Sequence, residues 1–149
     1  MGKLYILLLL LVTFNSCKKE PVDYTEIDEG IITQYIADNN LTAIATGTGL
    51  YYVIDTPGTG AQPNSQSTVT VAYKGYLTNG SVFDESASAG ISFSLTSVIQ
   101  GWQEGIPYFK EGGSGILLIP SALGYGNQAT SGIPANSVLI FEVALIEVL

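Results

Sequence analysis

The sequence predicts an α+β domain: an antiparallel, curled β-sheet wrapped around one short α-helix, with an extra short helix in front. Three observations carry that expectation. From Leu50 onward the chain is a succession of β-rich runs, several alternating apolar and polar residues. Turn chemistry, notably Pro57-Gly58 and Asn79-Gly80, separates those runs. Only one internal segment, Val98–Phe109 (VIQGWQEGIPYF), reads as a helix, and its glycines and Pro107 keep it short. Antiparallel strands around a single helix make one two-layer domain.

The elements follow in order. Residues 18–27 (KKEPVDYTEI) are polar and lack a sustained period, as expected of a tether. Asp28 is expected to cap a short helix, with Glu29 favourable in its first turn. Ile32, Tyr35 and Ile36 form its apolar stripe, to be packed on the main body, and Asn39-Asn40 close it. After Thr46-Gly47-Thr48-Gly49, Leu50–Asp55 forms a strand. Thr68–Leu77 follows, with Val69, Val71 and Tyr73 on one face. Asn79-Gly80 turns that strand into Ser81-Val82-Phe83. Ile91, Phe93 and Leu95 alternate next, then Gly115–Pro120 and Val138–Leu149 form two more strands. In the last, Leu139, Phe141, Val143 and Leu145 oppose Ile140, Glu142, Ala144 and Ile146.

Composition excludes several chemistries. The 149 residues suffice for one core, and their formal charge is −8. There is no histidine and no arginine, and Cys17 is the lone cysteine. A chain without imidazole has no Ser-His-Asp triad and no His-ligated zinc, and one thiol closes no internal disulfide. No metal site and no cofactor are expected. Nucleic acid is not an expected partner, because phosphate backbones need clustered Lys and Arg. The glycine-rich stretches Gly47–Gly49 and Gly112-Gly113-Ser114-Gly115 lack a P-loop lysine and a dinucleotide pattern. The Asp84-Glu85 pair raises the case of a glycosidase, but the other acids are scattered and aromatic residues dominate.

Residues 4–14 (LYILLLLLVTF), preceded by Lys3, are too short for a bilayer span of ~20 residues and fit a signal-peptide core. With Ser16-Cys17 behind them they resemble a bacterial lipoprotein signal, in which Cys17 is lipidated through its sulfur. Phe14 and Asn15 depart from the usual aliphatic and small residues. Ordinary secretion with cleavage nearby and an uncleaved N-terminal anchor are the competing readings. The expected organisation is a signal peptide at 1–16; a lipidated Cys17, tether and short helix at 17–45; and a globular domain at 46–149. The expected location is the cell envelope, with a lipid anchor holding the chain to a membrane.

Aromatic residues gather beside breaks in regular structure: Tyr73, Phe83, Phe93, Trp102, Tyr125 and Phe141. An aromatic in a strand more often fills a core than lines a site. Trp102, the single tryptophan, differs because it stands at a helix start, where a large ring can floor a cavity. Asp84, directly after Phe83, becomes a polar orienter beside such a cavity.

These residues also fall into recognisable motifs. Val69–Phe83 (VTVAYKGYLTNGSVF) followed by Asp84 resembles the tyrosine strand and FD turn of the FKBP family of peptidyl-prolyl cis-trans isomerases. Val98–Gly105 (VIQGWQEG) resembles that family's V-I-x-G-W-x-E-G segment. Leu118-Ile119-Pro120 with Leu123-Gly124-Tyr125-Gly126 is similar to its I-P-x-x-x-x-Y-G loop. Ile133-Pro134 through Asn136 to Val143 resembles its closing strand. The motifs occur in family order over residues 46–149. The signal and helix in front resemble lipoprotein members from Gram-negative bacteria.

The resemblance implies an apolar pocket between sheet and helix. Trp102 would floor it, and Tyr73, Phe83, Val98, Ile99 and Phe141 would wall it. The Tyr125 hydroxyl and the Ile99 backbone N–H would donate to carbonyls flanking a bound proline. Phe93 and Ile91 would contact substrate, Ile133 would belong to an overhanging loop, and Asp84 would orient the rim. Partners implied are proline-containing polypeptides and a macrolide ligand, with the protein a monomer. Glu85–Ile91 lacks the basic residue that often pairs with Asp84. Asn127–Gly132 lacks the aromatic or His that some members carry. Residue chemistry agrees with such an isomerase, since rotating an X-Pro bond needs no nucleophile, base or metal. A binding module that grips proline segments without turnover shares every motif, and only an exchange assay parts the two.

Overall fold

The computed structural model describes residues 22–149. The expected signal peptide, the start of the tether and the Cys17 lipidation site lie outside the described residues.

Helix α1 (Tyr24–Asp38) starts one turn earlier than expected. Its cap is Asp23, whose carboxylate accepts the Thr25 N–H at 2.9 Å. Asp28 is therefore not a cap but a buried mid-helix residue. The first turn is polar and leaves no apolar period to read, so the sequence assigned it to the tether. The expected stripe is present. Ile32 is fully buried on the outer face of the sheet against Val53, Leu118, Val138 and Ile140, with Tyr35 and Ile36 beside it. Burying an isoleucine in this way stabilises by about 1.5–3 kcal/mol.

The strands are β1 (Ile44–Ala45), β2 (Tyr51–Thr56), β3 (Thr68–Leu77), β4 (Val82–Glu85), β5 (Ile91–Ser94), β6 (Ser114–Ile119) and β7 (Leu139–Val148). They form one antiparallel sheet in the order β1-β2-β6-β7-β3-β4, with β5 also pairing β3. Strand β3 carries both neighbours on one edge. Its end at Lys74–Tyr76 pairs β4, and its start at Thr68–Val71 pairs β5. The short β1 has no alternation to betray it and went unread in the sequence.

The segment expected to be helical divides. Helix α2 spans Gln100–Gly105, and a 3₁₀ turn, Ile106–Tyr108, continues it around Pro107. Leu95, expected to extend β5, instead opens another 3₁₀ turn capped by Ser94. Alternation sorts the strands as expected. Val69, Val71, Leu117, Leu139, Phe141, Val143 and Leu145 face inward with Trp102, Ile106 and Phe109 of the helical segment. Helix α2 lies close on β6, because a Cβ on Gly101 would stand 2.5 Å from Ile119 Cγ2. That glycine sets how deep the neighbouring Trp102 sits.

Candidate active site

The inward faces of β3, β4, β5 and β7, the N-terminal end of α2 and the loops after β6 enclose a cavity of about 580 Å³. Such a volume suits a peptide side chain or a small ligand. All eleven residues singled out in the sequence line it: Tyr73, Phe83, Asp84, Ile91, Phe93, Val98, Ile99, Trp102, Tyr125, Ile133 and Phe141.

Trp102 is only 4 % exposed, yet it borders the hollow and organises the rings around it. Its centroid lies 5.1 Å from Tyr73, 5.2 Å from Phe141 and 5.3 Å from Phe93. The first two contacts are edge-to-face, the arrangement that aligns positive ring edges with negative faces. Phe83 packs edge-on to Phe141 at 5.4 Å. The indole Nε1 is buried and has no hydrogen-bond partner among the described residues.

Two adjacent residues, Phe83 and Asp84, both line this cavity, which a regular strand would forbid. A register shift permits it. Asp84 pairs with Gly75 but Val82 pairs with Tyr76, so Phe83 is the extra residue of a β-bulge. The Asp84 carboxylate accepts the Tyr73 hydroxyl at 2.7 Å, tying β4 to β3 at the rim. Burial first, then the hydrogen bond and charge of Asp84, push the Tyr73 phenol up to about 12.

The polar edge has two further parts. Tyr125 is exposed on a loop after β6, between Gly124 and Gly126. The Ile99 backbone N–H, at the start of α2, makes no hydrogen bond among the described residues. Across the mouth, Thr130 and Ile133 exchange backbone hydrogen bonds of 3.0 and 2.9 Å, forming a tight tip that tucks Ile133 into the core.

A family profile described as FKBP-type peptidyl-prolyl cis-trans isomerase matches residues 59–146. The chain belongs to this FKBP family. The FKBP-type peptidyl-prolyl cis-trans isomerase FkpA of Buchnera aphidicola subsp. Schizaphis graminum is 46 % identical over 106 residues, covering 69 % of this chain and 42 % of the relative. FkpA of Escherichia coli K12 is 45 % identical over 105 residues, covering 69 % and 39 %. The chain thus spans about two fifths of the length of the curated FKBP relatives it matches. Among solved structures, FkpA from Escherichia coli superposes with a TM-score of 0.74 at 36 % identity, over 85 % of this chain and 61 % of that one. A peptidyl-prolyl cis-trans isomerase from Pseudomonas syringae pv. tomato gives 0.71 at 31 % identity, over 86 % and 98 %.

The FKBP cavity contains residues that sequence reasoning did not single out. Ser97, Thr130 and Ser131 line it. Small hydroxyls in turns carry no periodicity, so no sequence signal marked them. Gln103 was also passed over. Its side-chain amide donates to the Val98 carbonyl at 2.8 Å, holding the segment that presents Ile99.

Proposed function

We propose that this FKBP chain is a peptidyl-prolyl cis-trans isomerase acting on proline-containing polypeptides of the cell envelope. One observation carries the reading: an aromatic hollow bordered by Trp102, with Tyr125 and Ile99 among the residues that line it.

Amide resonance sets a barrier of ~18–20 kcal/mol to rotation about the C–N bond. At the twisted transition state conjugation is lost, so the carbonyl is less dipolar and depends less on water. A hollow walled by Tyr73, Phe83, Phe93, Trp102 and Phe141 therefore hosts the twisted form better than the planar one. Tyr125 and Ile99 hold the carbonyls on either side of the proline, fixing the turn in which rotation occurs. Asp84 keeps the Tyr73 ring in place through its 2.7 Å bond. A macrolide of matching shape would compete for the same apolar surface.

The test is cis/trans exchange in a proline peptide. Acceleration above the buffer rate is expected, with a rate nearly flat from pH 6 to 8. The Tyr73 phenol, at about 12, stays protonated throughout that range. Being raised above its ordinary value, it contributes stability that is complete below pH ~10 and is lost as the pH climbs towards its folded value. A rate equal to the blank would remove the enzymatic reading and leave a binding module. A steep bell in the flat range would reveal an unseen acid–base step.

The envelope location rests on Lys3, the apolar run 4–14 and Cys17, which support a lipid anchor at the cysteine. No helix among the described residues is long and apolar enough to cross a membrane. Expressed in a bacterium that processes lipoproteins, the chain should partition into detergent with a mass above that of unmodified residues 17–149, and Cys17→Ser should abolish both. Aqueous partitioning of the unaltered chain would refute the anchor.

A further inference from the structure

Helix α1 precedes the stretch matched by the family profile, which begins at residue 59. One side chain nevertheless joins it to the cavity mouth. Asp28 is 1 % exposed, a placement that is costly for a carboxylate unless its oxygens are engaged. Its Oδ2 accepts two hydrogen bonds from one residue, Ser121: the backbone N–H at 2.8 Å and the hydroxyl at 2.6 Å; its Oδ1 is buried with no partner among the described residues. Asp28 and Ser121 are the two buried polar side chains of the described residues.

Ser121 is the root of the loop that carries Tyr125. Its carbonyl accepts the Gly124 N–H at 3.0 Å and the Gly126 N–H at 2.8 Å, gripping the loop on both sides of Tyr125. The Gly126 carbonyl then accepts the Asn136 N–H at 2.7 Å, closing the loop against the segment that leads into β7. A short relay thus runs from α1 through Ser121 to the backbone that aims the Tyr125 hydroxyl.

We propose that Asp28 is a positioning residue that sets Tyr125 through Ser121, making helix α1 a working part of the site. The proposal rests on the isomerase reading of that site. A buried carboxyl group is a poor choice for simple adhesion, since an apolar residue of like volume would pack α1 at no desolvation cost. It suits a task that demands direction: two hydrogen bonds on one oxygen, one from the Ser121 backbone and one from its side chain, fix that residue. Tyr125 itself is 41 % exposed, on a loop rather than a strand or helix.

The experiment compares Asp28→Ala, Ser121→Ala and Ile32→Ala in the full chain. Each is followed by melting temperature, by KM and kcat for a proline peptide, and by the NMR shifts of the Tyr125 ring. Ile32→Ala loosens the same helix without touching Ser121, so it should lower the melting temperature while leaving KM and the Tyr125 signals unchanged. Asp28→Ala should raise KM about tenfold, the scale of one oriented contact to substrate, and move the Tyr125 signals. Ser121→Ala keeps the N–H contact and should show a smaller change in the same sense. In a Tyr125→Phe background, Asp28→Ala should raise KM no further.

Equal effects of Asp28→Ala and Ile32→Ala on KM and on Tyr125, or full additivity with Tyr125→Phe, would overturn the proposal. Should Asp28→Ala fail to fold, Ser121→Ala decides by the same two readouts. An inactive wild type would refute the isomerase reading alone. The Tyr125 signals would then still judge the relay.

Discussion

Trp102→Ala should lower kcat/KM for proline isomerisation by about 100-fold, which corresponds to about 2.7 kcal/mol of lost transition-state stabilisation. The indole touches three other rings of the cavity, and its removal leaves Tyr73, Phe93 and Phe141 without their common neighbour. Water then enters the space where the twisted imide must shed it. Stability should also fall, by about 3–5 kcal/mol for so large a truncation. Trp102→Phe separates the two effects, because it keeps an apolar floor and most of the packing. Tyr35→Ala, on the outer face, is the control, with activity per folded molecule unchanged. Equal activity losses in Trp102→Ala and Tyr35→Ala would mean that both act through folding alone.

Gly75→Ala should impair the cavity from its wall. A Cβ there would lie 2.6 Å from Phe83 Cε2 and 2.7 Å from Phe141 Cε1, closer than carbon atoms tolerate. Neither ring can yield without moving its own partners, since the two pack edge-to-face. The expected result is a stability loss of about 1–3 kcal/mol, typical of overpacking. With the wall pushed inward, peptide affinity should fall about tenfold, equivalent to about 1.4 kcal/mol. Thermal melts and a peptide titration measure the two quantities. Unchanged affinity in a folded Gly75→Ala protein would show that Phe83 and Phe141 do not shape the bound proline's surroundings.

Much of this geometry was legible because alternation in a strand leaves few choices. Val69, Val71 and Tyr73 must share a face, and so must Leu139, Phe141, Val143 and Leu145, so the inner wall followed from periodicity. The ordered motifs then brought Trp102, Phe83 and Tyr125 to one place, though the sequence is silent on their distances. What escaped is what lacks a period. Asp23, rather than Asp28, starts α1, because a polar first turn reads as tether. The two residues of β1 are too few to alternate. Asp28 looked like a cap because an acid ahead of an apolar stripe usually is one. Its partner lies 93 positions away, a pairing no local pattern reveals.

The placement of β7 bears on how the molecule reaches its native state. Though the last strand in the chain, it lies between β6 and β3 and is hydrogen-bonded along both edges. Until residues 139–148 arrive, the β2–β6 pair and the β3 group have no common seam to join them. Formation must therefore wait for distant segments to meet, a topology associated with slow, all-or-none assembly rather than progressive growth from the N-terminus. A ribosome or translocation pore still holding that segment would thus hold back the whole sheet.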